Sequence, residues 1–68
     1  MIDLSVVVPV FNGESFIEGT LGELIDYIAS LKERSELVVI DDGSTDRTAE
    51  LIGAVSANAP IPVKFVES

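Results

Sequence analysis

Two short stretches carry side chains whose types and spacing suit chemistry. The first is Asp41-Asp42-Gly43-Ser44-Thr45-Asp46, where two adjacent carboxylates follow an apolar run and precede a cluster of turn formers. Taken by itself, an Asp-Gly-Ser run is a turn with a helix cap. Side-by-side like charges nevertheless cost energy unless a donor or a cation sits between them. A carboxylate pair of this kind can accept the N–H groups of a nucleobase, accept ribose hydroxyls or hold a hard cation such as Mg²⁺. The second stretch is Pro9-Val10-Phe11-Asn12-Gly13-Glu14. Its plain role is to end a strand and start a helix, with Asn12 as the cap and Glu14 complementing the helix dipole. An aromatic ring there is also a platform for a flat base, and core filling is the competing role of Phe11.

Composition removes most other chemistries. With no Cys and no His, the chain has no disulfide, no zinc site of the usual ligands, no thiol nucleophile and no imidazole base. Four Lys and Arg stand against twelve Asp and Glu, a formal net charge of −8. Nucleic acid and anionic membrane surfaces are repelled by such a field. The basic residues Lys32, Arg34, Arg47 and Lys64 do not form a phosphate-gripping loop, and neither G-x-x-x-x-G-K-[ST] nor G-x-G-x-x-G is present. A phosphorylated ligand would need a bound metal or basic groups from elsewhere. No apolar run approaches a membrane span or a signal-peptide core, so the expected location is cytoplasmic, either free or at the cytoplasmic face of a membrane in a longer protein.

The elements that must position these residues are legible in the hydropathy pattern. At 68 residues and 47% hydrophobic content, the chain is one small domain, hiding about 60% of the surface its unfolded form exposes. Leu4-Ser5-Val6-Val7-Val8-Pro9-Val10-Phe11 and Glu36-Leu37-Val38-Val39-Ile40-Asp41 read as strands buried on both faces of a parallel sheet. Between them, residues 14–31 change period: Phe16, Ile17, Leu21, Leu24, Ile25, Ile28 and Leu31 form one stripe of an amphipathic helix. Gly19 and Gly22 inside that helix each cost about 1 kcal/mol relative to Ala, so packing supports the helix or a neighbouring backbone comes close. Ser44, Thr45 and Asp46 offer oxygens to the free N–H groups of a second helix with the stripe Ala49, Leu51, Ile52 and Val55. Pro62-Val63-Lys64-Phe65-Val66 is a third strand suited to a sheet edge. The result is an α/β fold, a βαβαβ three-stranded parallel sheet that forms half of a doubly wound, Rossmann-like arrangement. Both loops then lie at the carboxyl edge, where such sheets bind ligands.

Taken together, Ser5-Val6-Val7-Val8-Pro9-Val10-Phe11-Asn12-Gly13-Glu14 and Leu37-Val38-Val39-Ile40-Asp41-Asp42-Gly43-Ser44-Thr45-Asp46-Arg47-Thr48 resemble the amino-terminal segment of a family-2 glycosyltransferase. Within it, Ile25-Asp26-Tyr27-Ile28 and Asp46-Arg47-Thr48-Ala49-Glu50 look most like the polyprenyl (dolichyl) phosphate mannosyl- or glucosyltransferase branch. The resemblance covers residues 1–68 as a partial domain, the first third or less of such an enzyme, and implies the start of a nucleotide-diphospho-sugar transferase (GT-A) fold. By that similarity Pro9 contacts the base through its backbone, Phe11 stacks on it and Ile40 lines its pocket. Asp42 accepts the N–H of a uracil or guanine, Glu14 lies near the ribose and Asp41 orients the loop. Two positions depart from the family pattern: the aromatic is more often Tyr, and many lipid-phosphate transferases carry Glu directly after the Asn, where Gly13 stands here.

The implied activity is transfer of a hexose from a UDP- or GDP-sugar to a saccharide or a polyprenyl phosphate, with inversion. The implied cofactor is Mg²⁺ or Mn²⁺, held by a metal motif outside these residues, so this stretch alone is expected to be inactive. The other class of function open to the sequence is a small non-enzymatic α/β interaction module that forms a homo-oligomer through its sheet edge. A phosphoryl-acceptor receiver fits poorly, because its acidic cluster gathers near the first strand.

Overall fold

The computed structural model describes residues 2–67. Strand β1 spans Leu4–Val10, helix α1 Ile17–Ala29, strand β2 Ser35–Asp41, helix α2 Thr48–Ala57 and strand β3 Val63–Glu67. The three strands pair in the order β1-β2-β3 and both pairings are parallel, so β3 lies at an edge, as expected from the prolines that precede it. Each crossover holds a helix, and two successive right-handed crossovers in one direction put both helices on the same side of the sheet.

That placement decides what is buried. Ile17, Leu21, Ile25 and Ile28 of α1 and Ile52 of α2 meet Val10, Leu37 and Val39 in one core. Because side chains alternate along a strand, only every second residue of β2 reaches it. Ser35, Leu37, Val39 and Asp41 are buried, whereas Glu36, Val38 and Ile40 are half-buried. The opposite face, with Val7 56% exposed and Val66 48% exposed, has no covering layer among the described residues. The expectation of strands buried on both faces is therefore corrected: the apolar run is present, but only one of its faces is covered here.

Helix α1 is shorter at both ends than its apolar stripe. At the start, the N–H groups of Phe16 and Ile17 both donate to the Gly13 carbonyl, at 3.0 and 2.7 Å, making a turn rather than a first helical repeat. Phe16 accordingly stays exposed and does not join the packing face, while Ile17 does. At the end, Ser30 and Leu31 donate to carbonyls three residues back, a tightening that closes helices. Gly19 and Gly22 permit no close approach: a Cβ built on either meets nothing within 4 Å. Gly19 is exposed, so Gly19→Ala should stabilise the fold by roughly 0.5–1 kcal/mol through lost unfolded-chain entropy. Thermal melting checks this, and an unchanged or lower midpoint would contradict it.

Candidate functional site

In β1 and β2 the register places Pro9 opposite Ile40 and Val10 opposite Asp41. Both strands thus end level, and the loops that follow leave the sheet side by side at its carboxyl edge. Pro9 and Ile40 share the uncovered face as direct neighbours, Pro9 exposed and Ile40 half-buried. Asp41, one residue on, points to the helix side and is only 3% exposed. Phe11 lies just beyond β1 with 62% of its surface accessible, so its ring is no core filler. Asp42 lies just beyond β2 and is exposed, with its backbone N–H donating to the Val10 carbonyl at 2.9 Å.

The loops are joined to each other by two parallel relays. In one, the Asn12 N–H donates to Ser44 Oγ at 2.8 Å, and the Ser44 hydroxyl donates to Asp41 Oδ1. In the other, the Gly13 N–H donates to Thr48 Oγ1 at 2.8 Å, and the Thr48 hydroxyl donates to Asp46 Oδ1. In each relay a carboxylate accepts the hydroxyl's hydrogen bond and so leaves an oxygen lone pair facing the opposite loop, an arrangement in which successive bonds polarise one another. The second is deep, since Thr48 has no exposed surface.

Further bonds cross between the loops. Thr45 N–H donates to Asn12 Oδ1 at 2.8 Å, Glu14 N–H to Asp46 Oδ2 at 3.2 Å, and Arg47 N–H to Glu14 Oε1 at 2.8 Å. Asn12 is therefore not a cap of α1, whose N-cap position is Phe16 with no side-chain cap bond. Asn12 instead adopts φ 47°, a left-handed conformation that Asn tolerates better than most residues. Glu14 complements a helix dipole, but that of α2: its carboxylate takes a free N–H at the start of the second helix, away from the uncovered face that carries Pro9 and Ile40. Of the three expected caps of α2, Asp46 serves, accepting the Thr48 N–H at 2.9 Å.

Sequence reasoning missed the crossing partners of Asn12, Ser44 and Thr48. The usable signal was Asn12-Gly13 itself, a pair that favours a turn over a cap, together with hydroxyls at Ser44 and Thr48 flanking Asp46. Gly13 is also constrained by space, since a Cβ there would stand 3.1 Å from the Phe16 ring and 3.3 Å from Val10. A side chain directly after the Asn would require the Phe16 ring and the Val10 side chain to give slightly.

The Asp46 carboxyl is held below its ordinary value of 3.8, first by the Thr48 hydroxyl and then by the backbone N–H groups of Thr48 and Glu14. Glu36 is held below 4.5, first by the Ser5 hydroxyl and then by Lys64, whose ammonium lies 3.5 Å away. A lowered folded value means that the stabilisation is full above the unfolded value and is lost as pH falls through the folded one. Melting temperatures should therefore hold from pH 7 to about 5 as far as these two groups are concerned, and fall below about 4. A midpoint that does not change between pH 5 and 3 would contradict the assignment.

The carboxylates do not gather into a cation site: among the described residues no group of three or more Asp or Glu could hold a metal ion. Asp41, Asp46 and Glu14 instead spend oxygens on loop N–H and hydroxyl groups. A 340 Å³ cavity at the amino ends of the strands, lined by Ile28, Ala29, Arg34, Ser35, Pro60 and Ile61 among others, contains none of the candidate residues. No helix among the described residues is long and apolar enough to cross a membrane.

Comparison with known proteins supplies what geometry alone does not. Residues 5–68 match Glycosyl transferase family 2. An undecaprenyl-phosphate 4-deoxy-4-formamido-L-arabinose transferase of Pseudomonas paraeruginosa is 45% identical over 56 residues, covering 81% of this chain and 16% of that protein. A validoxylamine A glucosyltransferase of Streptomyces hygroscopicus is 38% identical over 64 residues, 94% of this chain and 15% of that protein. A dolichyl-phosphate beta-glucosyltransferase of Trichomonas vaginalis is 37% identical over 54 residues, 72% of this chain and 17% of that protein. No solved structure matches. The chain spans no more than a fifth of the length of these relatives. The family match takes in both laced loops and all three strands, and the chain belongs to glycosyl transferase family 2.

Proposed function

We propose that this chain is the nucleotide-binding portion of an inverting glycosyltransferase that moves a hexose from a UDP- or GDP-sugar to a lipid phosphate or a saccharide. The observation that carries the proposal is the placement of Phe11 and Asp42. Both are exposed, each lies just past its strand, and both stand at the carboxyl edge beside the Pro9–Ile40 pair. An aromatic face can stack on a base, and a carboxylate can accept its N–H. In this reading Pro9 and Ile40 border the base, while Asp41 orients the loop through Ser44. Glu14 is the weakest ligand candidate, because its carboxylate already accepts the Arg47 N–H.

In the reaction an acceptor oxygen attacks the anomeric carbon, the bond from that carbon to the diphosphate oxygen breaks, and the nucleoside diphosphate leaves with the electron pair; a phosphate acceptor attacks already ionised, whereas a saccharide hydroxyl gives its proton to a general base outside the described residues. The described residues do not fit a metal, so the proposed Mg²⁺ or Mn²⁺ belongs to residues outside this stretch. Transfer by this chain alone is accordingly not expected. The similarity to lipid-phosphate transferases supports a polyprenyl-phosphate acceptor, and that to the validoxylamine A enzyme supports a non-lipid one. The proposed location is cytoplasmic.

Amide-shift titration with UDP, GDP, UDP-glucose and GDP-mannose, with and without Mg²⁺ or Mn²⁺, tests the proposal. Base-dependent shifts at Phe11, Ile40 and Asp42 are expected. A well-dispersed spectrum that ignores every nucleotide, together with a discrete dimer, would favour self-association through the open sheet instead.

A further inference from the structure

We infer that Asn12 is a positioning residue that makes the two nucleotide-facing loops move as one body, without itself touching the ligand. The inference rests on the function proposed above. Asn12 engages the second loop twice, through its N–H on Ser44 Oγ and through Oδ1 on the Thr45 N–H, both at 2.8 Å. The first contact continues through the Ser44 hydroxyl to buried Asp41, and the second holds the backbone three residues after Asp42. Phe11 is the chain neighbour of Asn12, so the backbone that carries the ring is held next to the residue that holds the carboxylate loop. The left-handed φ of 47° brings N–H and Oδ1 to bear on the same loop. A ligand spanning Phe11 and Asp42 therefore meets a preset spacing, and need not order two independent loops as it binds.

Asn12→Gly separates this role from backbone strain, because glycine accepts the same φ and keeps the N–H while losing Oδ1. Hydrogen exchange followed by NMR should show the Thr45 amide exchanging about tenfold faster, the size expected for one lost hydrogen bond. The amides of Ile25 and Leu37 in the core should keep their protection, and the affinity for UDP or GDP should fall by a comparable factor. Asn12→Asp, which keeps an acceptor oxygen, should restore Thr45 protection. A Thr45 amide equally protected in Asn12→Gly overturns the inference and leaves the nucleotide reading standing. So does faster exchange with unchanged nucleotide affinity, or a loss of protection that extends through the core. If the parent chain binds no nucleotide, the proposed function fails, and with it the positioning role. The Thr45 amide then reports only whether Asn12 ties the loops.

Discussion

Asp42→Asn should weaken nucleotide binding roughly ten- to a hundredfold, the equivalent of about 1.5–3 kcal/mol for a hydrogen bond to a charged acceptor. The substitution keeps size and shape, and exchanges a carboxylate oxygen for an amide that offers a weaker acceptor and an unwanted donor toward a base N–H. The Asp42 backbone N–H donates to the Val10 carbonyl, a tether to β1 that the side-chain change keeps. Titration of parent and variant with the tighter-binding nucleotide measures the effect, and equal affinities would remove Asp42 from the site.

The largest effect on stability among the loop residues is expected from Thr48→Val. Valine fills the same volume and leaves no cavity, so the loss is confined to the hydroxyl. Without it the buried Gly13 N–H has no acceptor, a penalty of about 1–3 kcal/mol. In a domain of this size each kcal/mol moves the melting temperature by about 4–8 °C. Thr48→Ser keeps the relay and should recover most of the difference. Denaturant unfolding of the three proteins is the measurement, and a valine variant within about 0.5 kcal/mol of the parent, the usual spread of neutral substitutions, would contradict the account. A second signature follows from Asp46, whose carboxyl is lowered chiefly by the Thr48 hydroxyl. The part of the acid-induced loss of stability that Asp46 contributes should be smaller in the valine variant, because its folded carboxyl is then lowered less relative to the unfolded chain.

The strand and helix order was legible because period 2 and period 3.6 alternate cleanly along the chain, and the acidic pair could be placed at a strand end because Val38, Val39 and Ile40 lead straight into it. Other features depend on relations between segments that lie more than thirty residues apart in sequence. Asn12 looks like a cap when only its own helix is considered, yet its oxygen accepts the N–H of Thr45. Phe16 continues an apolar stripe, but the turn on the Gly13 carbonyl starts the helix one residue too late to include it. The strands carry apolar residues on both faces, and composition does not say which face two crossovers of the same hand will cover. Glu14 sits at the right distance from a helix start on either side, and only the fold shows that it serves α2.

The residues that fasten the loops are not the residues that face outward at their tips. Asn12, Gly13, Ser44, Thr48, Asp41 and Asp46 make the relays, while the Phe11 ring stands clear beside them. This division of labour bears on how members of such a family can diverge. On the proposed function, a mutation at Phe11 would alter the platform offered to a ligand without touching the hydrogen bonds that hold the loops, so lineages could sample new donor preferences at little risk to folding. Changes at Asn12 or Thr48 carry the opposite balance, since each unfastens the frame before it can alter any preference.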